Sequence, residues 1–438
     1  MIHRFHFSAI LSLILLLGFA AGCAGSKEAA KKKRKAAAEA AAREPAGNGP
    51  HLATVSKDVR TIQVYLTGDE RRLPIAGLKS SEKLTLAFDL MKERGRPLSV
   101  YFYHADRTWR RDLSPAEYLT SFQRDDLLSY RPSQAADIQY THYTYQFPND
   151  NIDFRVSGNY ILRVTEQGME DDVLFERPFF ISEQLASVDF GLDNVLLGGS
   201  AYPAIQPTAQ FTPPPSFQNN VFNYNVCFVR NGQFDRSRCT DKPQLAAQPT
   251  LQFYLEPETA FRPQAPDYFV DIGSLQVGPR IAKTDLTESP YQVFVEPDYA
   301  RFAGTGLDPL LSGQIVIDAA VRNVPEPGTQ ADYVEVHFTY VPPNEVPLNG
   351  NVVLAGSFNG WRSDPAHRLE WIPDARHYEG HVLLKQGQYE YRYLVSDRRA
   401  RINGAATRLD NLYSVFVYFK DNSLFTDRLL AVNNILTR

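Results

Sequence analysis

From Val59 onward the chain is written in short runs of alternating apolar and polar residues, broken by turn-forming clusters, with no stretch that sustains a helical repeat. Successive side chains of a strand point to opposite faces, so such alternation describes strands with one face in a core. Thr61-Ile62-Gln63-Val64-Tyr65-Leu66 and Lys83-Leu84-Thr85-Leu86-Ala87-Phe88-Asp89 alternate in this way, and Leu98 to His104 is a third, aromatic run. Further strands are expected at His142–Phe147, Gly158–Val164 and Val173–Ile181, the last interrupted by Pro178. Many short strands with frequent turn signals predict an all-β chain of sandwiches. Ser114 to Phe122 is the one convincing helical turn, with Ser114 as N-cap, Pro115 at the first helical position and Glu117 two residues on. Hydrophobic residues make up 43% of the chain, enough to fill more than one core.

Three linked sandwiches of immunoglobulin-like or E-set type are expected, spanning 51–186, 187–330 and 331–438. The middle unit is rich in Pro and Gly, with Gly198-Gly199, Pro213-Pro214-Pro215 and the turn signal Asn231-Gly232. Val324-Pro325-Glu326-Pro327-Gly328 reads as the linker to the last unit.

The N-terminal end carries an address. An apolar run from Ile10 to Leu17 is followed by Gly18-Phe19-Ala20-Ala21-Gly22-Cys23. Small residues before a Cys at the end of such a run read as a lipoprotein cleavage site, so residues 1–22 are expected to be removed and Cys23 lipidated. Residues 23–50 then form a flexible tether, basic at Lys31-Lys32-Lys33-Arg34-Lys35 and broken by Pro and Gly near Pro45 and Pro50. The expected location is the outer membrane, anchored by lipid and facing the periplasm. No second apolar stretch approaches the ~20 residues of a membrane-spanning helix.

The whole chain carries a net charge of −4, although its first 50 residues are basic. The body is therefore acidic, which argues against nucleic acid as a partner. Apart from Cys23 there are two cysteines, Cys227 and Cys239, flanking the Asn231-Gly232 turn. A disulfide between them suits an oxidising compartment. An ideal two-residue turn would place Cys227 opposite Arg236, so the bridge needs a looser loop end; two free thiols are the alternative.

Two stretches carry a family resemblance. One is Tyr101-Phe102-Tyr103-His104-Ala105-Asp106-Arg107-Thr108-Trp109, continued by Glu117-Tyr118-Leu119, Tyr140-Thr141-His142-Tyr143, Phe147-Pro148-Asn149-Asp150 and Ser157-Gly158-Asn159-Tyr160. The other runs from Leu383 through Gln386-Gly387-Gln388-Tyr389-Glu390-Tyr391-Arg392-Tyr393 to Phe416-Val417-Tyr418 and Asp427-Arg428-Leu429. Together they resemble the plug proteins of the bacterial type IX secretion system. The resemblance implies a large outer-membrane β-barrel translocon as partner, a steric role in occluding its pore when no cargo or carrier occupies it, and no catalytic group or cofactor. Tyr101, Trp109 and Tyr143 are expected to pack in cores or turns.

A second resemblance points elsewhere. Gly356-Ser357-Phe358-Asn359-Gly360-Trp361 is similar to the start of glycogen- and starch-binding E-set modules, in which the Trp stacks on a sugar face. Arg392 stands where binding members usually have Lys, and Ser396-Asp397-Arg398-Arg399 lacks the second Trp of such sites. The module is expected to be kept for its shape, with Trp361 and Trp371 as candidate contacts to a glycan or a partner. A glycan-binding outer-membrane lipoprotein and an envelope assembly scaffold are the competing readings.

Catalytic motifs are missing. There is no Gly-x-Ser-x-Gly elbow and no His-Glu-x-x-His zinc motif, and Gly304-Thr305-Gly306 lacks the third Gly of a dinucleotide loop. His377 and His381 stand four apart at an expected strand end and are not taken as a metal pair. Glu170-Asp171-Asp172 beside Gly168 is expected to be a solvated hairpin tip, with calcium as the alternative.

Overall fold

The computed structural model describes residues 49–134, 137–196, 203–218, 220–245, 249–262, 267–300, 310–320, 324–395 and 411–437. Cys23, the signal segment and the tether up to residue 48 lie outside these residues, as do Gly198-Gly199, Gly304-Thr305-Gly306 and Ser396-Asp397-Arg398-Arg399.

The described chain is all-β, arranged as three sandwiches. In the first, one sheet runs in the order Val59–Leu66, Leu84–Leu90, Thr141–Phe147, Tyr130–Pro132. The facing sheet runs Ile75–Gly77, Val173–Ser182, Gly158–Glu166, Leu98–Ala105, Arg124–Leu127. Their inner faces share one core that includes Phe88, Phe102, Tyr143, Phe147, Phe175 and Phe179. Buried tyrosines keep their hydroxyls satisfied: Tyr118 donates to the Phe102 carbonyl at 2.7 Å and Tyr160 to the Val156 carbonyl at 2.6 Å. The helical turn is shorter than expected, Pro115–Tyr118, because Leu119 already bridges to Phe154. Its start is fixed by Glu117, whose carboxylate accepts from the Ser114 backbone N–H at 2.7 Å.

Pro178 does not interrupt its strand. Val173–Ser182 is continuous on one side with Gly158–Glu166, whereas on its other side Ile75–Gly77 pairs only from Phe180 onward. The missing N–H therefore removes no ladder bond on that second side.

Alternation does not translate into solvent exposure in the first sandwich. Leu84–Leu90 and Leu98–Ala105 are buried at every position. Their outward residues, Asp89 and His104 among them, are polar and covered by neighbouring segments rather than by water.

The second and third sandwiches depart from the expected division at 330. The second pairs Val188–Leu196, Pro203–Phe211, Leu251–Tyr254 and Gln244–Leu245 in one sheet. Its other sheet is Arg238–Thr240, Tyr224–Arg230, Asn411–Asp421 and Thr426–Thr437. The C-terminal hairpin thus returns to the middle unit, in a register running from Tyr224 opposite Phe419 to Arg230 opposite Tyr413. Its core includes Phe211, Phe228, Phe253, Val415 and Leu430.

The third sandwich begins near Tyr268. Gly387–Val395 is the centre of one sheet, flanked by Tyr268–Asp271 on one side and by Val352–Gly356 and Val316–Ile317 on the other. The facing sheet runs Ile281–Asp285, Gln292–Val295, Tyr333–Val341, His377–Lys385, Glu370–Ile372, with Asp298–Tyr299 also on Tyr333–Val341. The expected linker at Val324–Gly328 is not one. Pro327–Gln330 forms a helical turn inside this sandwich, Thr329 is buried, and a Cβ on Gly328 would meet the His142 ring at 2.6 Å. Pro at the first helical position and Gly at a close approach account for the composition that reads as a linker.

Candidate functional site: the seams and the cleft between the sandwiches

Three seams join the sandwiches. Between the first and third, the Asp89 carboxylate is 0% exposed and accepts three bonds. His142 donates from Nδ1 at 2.6 Å, Tyr333 from its hydroxyl at 2.8 Å and Lys385 from Nζ at 2.7 Å. Lys385, 1% exposed, also donates to the Gly328 carbonyl at 2.6 Å and lies 4.2 Å from the Tyr140 ring centroid. Burial alone would raise the Asp89 carboxyl, but the Lys385 ammonium and His142 hold it below the usual carboxylate value. Tyr140 donates to the Ala331 carbonyl at 2.7 Å, extending the same seam.

The seam between the first and second sandwiches is apolar at its centre, where Trp109, Ile161, Phe180, Phe416 and Leu429 cluster. Phe180 lies 4.8 Å from both Phe416 and Phe234, and 5.4 Å from Trp109. Around it, Arg428 grips Glu183 with two bonds of 2.7 Å, and Tyr418 donates to the Asn159 side chain at 2.7 Å. Cys227 belongs to this cluster and is joined to Cys239 by a disulfide. The two residues sit directly opposite each other, 4.0 Å apart at Cα. The loop between them opens through the turn Phe234–Arg236, which moves the register away from Arg236.

The second and third sandwiches meet at the Asn231-Gly232 turn. A Cβ on Gly232 would lie 2.4 Å from the Ser312 carbonyl oxygen, and one on Gly313 would lie 2.8 Å from that of Asn231. Glu390 fixes this contact by accepting the N–H groups of Leu311 at 2.8 Å and Gly313 at 3.0 Å. Burial, reinforced by nearby Asp267, pushes the Glu390 carboxyl up to about 7. A carboxyl whose folded value is raised binds more protons when folded, so its contribution to stability falls as pH rises from about 4.5 to about 7. Glu390→Gln should therefore flatten the loss of stability across that interval, by up to about 3 kcal/mol at ~1.4 kcal/mol per unit. Denaturant titrations of both proteins at pH 5 and pH 7 read the difference.

Trp361 and Trp371 are not brought together. Trp361, 8% exposed, follows the Ser357–Asn359 turn, and the Arg392 guanidinium lies 4.5 Å from its ring centroid. Arg392 is held there by two bonds to Asp267, at 2.6 and 2.7 Å. Trp371 is on the edge strand Glu370–Ile372, 4.9 Å from Tyr378, in a separate recess. The Asn359 side chain accepts from the Gly356 N–H at 2.9 Å and donates to the Leu354 carbonyl at 3.1 Å, so the glycan-module-like motif serves here as a turn. The arginine stacked on Trp361 and the burial of its ring leave no open sugar platform.

His377 and His381 do share a face, since residues four apart on a strand must. Each faces a carboxylate, Glu379 at 2.6 Å and Glu335 at 3.7 Å, and no group of metal-holding geometry occurs among the described residues. Glu170-Asp171-Asp172 lies in the turn between Gly158–Glu166 and Val173–Ser182, with Glu170 bonded to the Tyr103 hydroxyl.

A cleft of about 780 Å³ opens where all three sandwiches converge. Its walls include Ile62 and Arg177 of the first, Phe234 of the second, and Trp361 and Leu384 of the third. Sequence reasoning missed the cleft and the seams, because each joins residues far apart in the chain.

Residues 59–183, the first sandwich, match the family model for the first domain of type 9 secretion system plug proteins. The first sandwich thus resembles that family. A crystal structure of a hypothetical protein from Parabacteroides merdae is similar to this chain with a TM-score of 0.77 and 24% identity, covering 88% of this chain and 99% of the other. At that identity the likeness is one of fold. No curated protein matches this chain.

Proposed function

We propose that this protein is a non-catalytic plug of the type IX secretion system, which binds the outer-membrane translocon from the periplasm and occludes it while no cargo or carrier is engaged. The match of residues 59–183 to the plug family's first domain carries this reading. The architecture supports it: a steric plug needs a body that does not deform, and hydrogen-bonded ion pairs at two seams, with the close approach of Gly232 to Ser312 at the third, tie the sandwiches into one block. Lipidation at Cys23 would keep a released plug near the membrane, where rebinding gains from high local concentration. The tether of residues 24–50 could span roughly 90 Å when extended, at ~3.3 Å per residue. Affinity purification of the lipidated protein from outer membranes tests the partnership. Co-purification of a very large β-barrel is the expected result; recovery of the protein alone would overturn the reading.

A further inference from the structure

The cleft between the sandwiches holds an arginine in an unusual place. Arg177 sits on Val173–Ser182 at a position between Phe175 and Phe179, both core residues of the first sandwich, so alternation turns it toward the inside. It reaches the cleft instead. Its guanidinium donates to the neighbouring Glu176 carbonyl at 2.9 Å and meets no carboxylate among the described residues. Burial, together with the like charge of Arg362, pushes it down to about 10. A partly buried cation beside another cation is costly unless an anion compensates it.

The other charges of the cleft leave Arg177 without an anion, although Asp235 lies within electrostatic reach of Arg362. Asp364 is engaged by the Ala366 N–H at 2.9 Å and by His367 at 3.6 Å. Glu335 faces His381 at 3.7 Å, and Asp235 faces Arg236 at 3.9 Å. Arg60, also in the lining, spends its guanidinium on the carbonyls of Lys57 and Val59. Arg60, Arg177 and Arg362 thus line one cleft and form no ion pair among the described residues, while Asp235 stands near enough to Arg362 to act on its charge.

The backbone around the cleft is open as well. Val59–Leu66 is an edge strand, paired only with Leu84–Leu90; it bulges between Arg60 and Gln63, where Thr61 has a positive φ, and runs regularly from Gln63 to Leu66, and Arg60, Thr61, Ile62 and Val64 line the cleft. Apolar side chains, Ile62 and Leu384 among them, share the lining with the charges. An edge strand with pockets for alternate side chains is the geometry in which a partner adds a strand.

We propose that this cleft docks an extended acidic segment of a partner protein, which runs along the free edge of Val59–Leu66 and places its carboxylates against Arg177 and Arg362. A lone anion would satisfy the arginines but leave the strand edge and the apolar lining unused. The proposal stands apart from the plug reading, since it concerns the chemistry of the segment and not which protein carries it.

The test is fluorescence anisotropy on the purified full chain, with a labelled, end-capped hexapeptide alternating glutamate and valine. The same peptide with lysine for glutamate, and one N-methylated at alternate amides, serve as comparisons. The glutamate peptide should bind at least about tenfold more tightly than either. Arg362→Gln, at an exposed site, should weaken it about tenfold, and Arg177→Gln at least as much. Thermal melting of both variants establishes that they fold. Equal binding of the lysine peptide, or unchanged affinity in both folded variants, would overturn the proposal. So would full displacement by inorganic phosphate together with undiminished binding of the N-methylated peptide, which would mark a simple anion site.

Discussion

Lys385→Met is expected to destabilise the protein by about 3–5 kcal/mol, because it leaves the Asp89 carboxylate buried without its cation. Asp89 has no exposed surface through which water could replace Lys385, and the remaining donors, His142 and Tyr333, are a ring and a phenol. Replacing both partners, as Asp89→Leu with Lys385→Met, removes the orphaned charge. The double variant should therefore be more stable than Lys385→Met alone, while still paying for the unmade bonds of His142 and Tyr333. The pH dependence follows the direction of the Asp89 shift. A carboxyl held below its unfolded value contributes stability above that value, and the contribution is lost as pH falls through the folded one. Acid should thus loosen the seam between the first and third sandwiches. Urea titrations of the three proteins at pH 7 provide the check; a Lys385→Met loss within about 1 kcal/mol would mean that the seam is already hydrated.

Phe102→Ala is the second large effect, also about 3–5 kcal/mol. Phe102 is 0% exposed at the centre of the first sandwich. Its ring centroid lies 5.0 Å from Phe147, 5.8 Å from Phe154 and 5.9 Å from Phe179, so truncation opens a cavity bounded by rings from several strands. Such rings cannot collapse into the gap without leaving their own packing. Phe122→Ala is the contrasting control: that ring is 68% exposed, and its loss should change stability by no more than about 0.5 kcal/mol. Equal effects at the two positions would contradict the core described here.

The strands were legible because alternation is a local signal. Leu84–Leu90, Leu98–Ala105 and Thr141–Phe147 begin and end within a residue of the runs that predict them. Strand partners were not. Nothing in Asn411–Asp421 records that it lies beside Tyr224–Arg230, since an antiparallel neighbour can come from any part of the chain. The boundary at 330 failed for that reason, and Pro327-Gly328 misled because the same two residues serve a linker and a tight helical start. The seams were hidden by a similar ambiguity. Asp89 and Lys385 sit at strand positions where a charge ordinarily means solvent, and only the third sandwich turns that surface inward. Trp361 was conspicuous in the sequence, but Arg392, also conspicuous, turned out to be its cover rather than a neighbour in a sugar site. Arg177 gave one clue that could have been used: a charge between two phenylalanines at the alternation of a core strand.

The central claim is occlusion, and outer-membrane permeability measures it most directly. In cells lacking the cargo carrier of the type IX system, the translocon is left without its usual occupant. Deleting the gene for this protein in that background should admit large fluorescent solutes to the periplasm, and restoring the gene should exclude them. Unchanged exclusion of those solutes in the deleted strain would contradict the account.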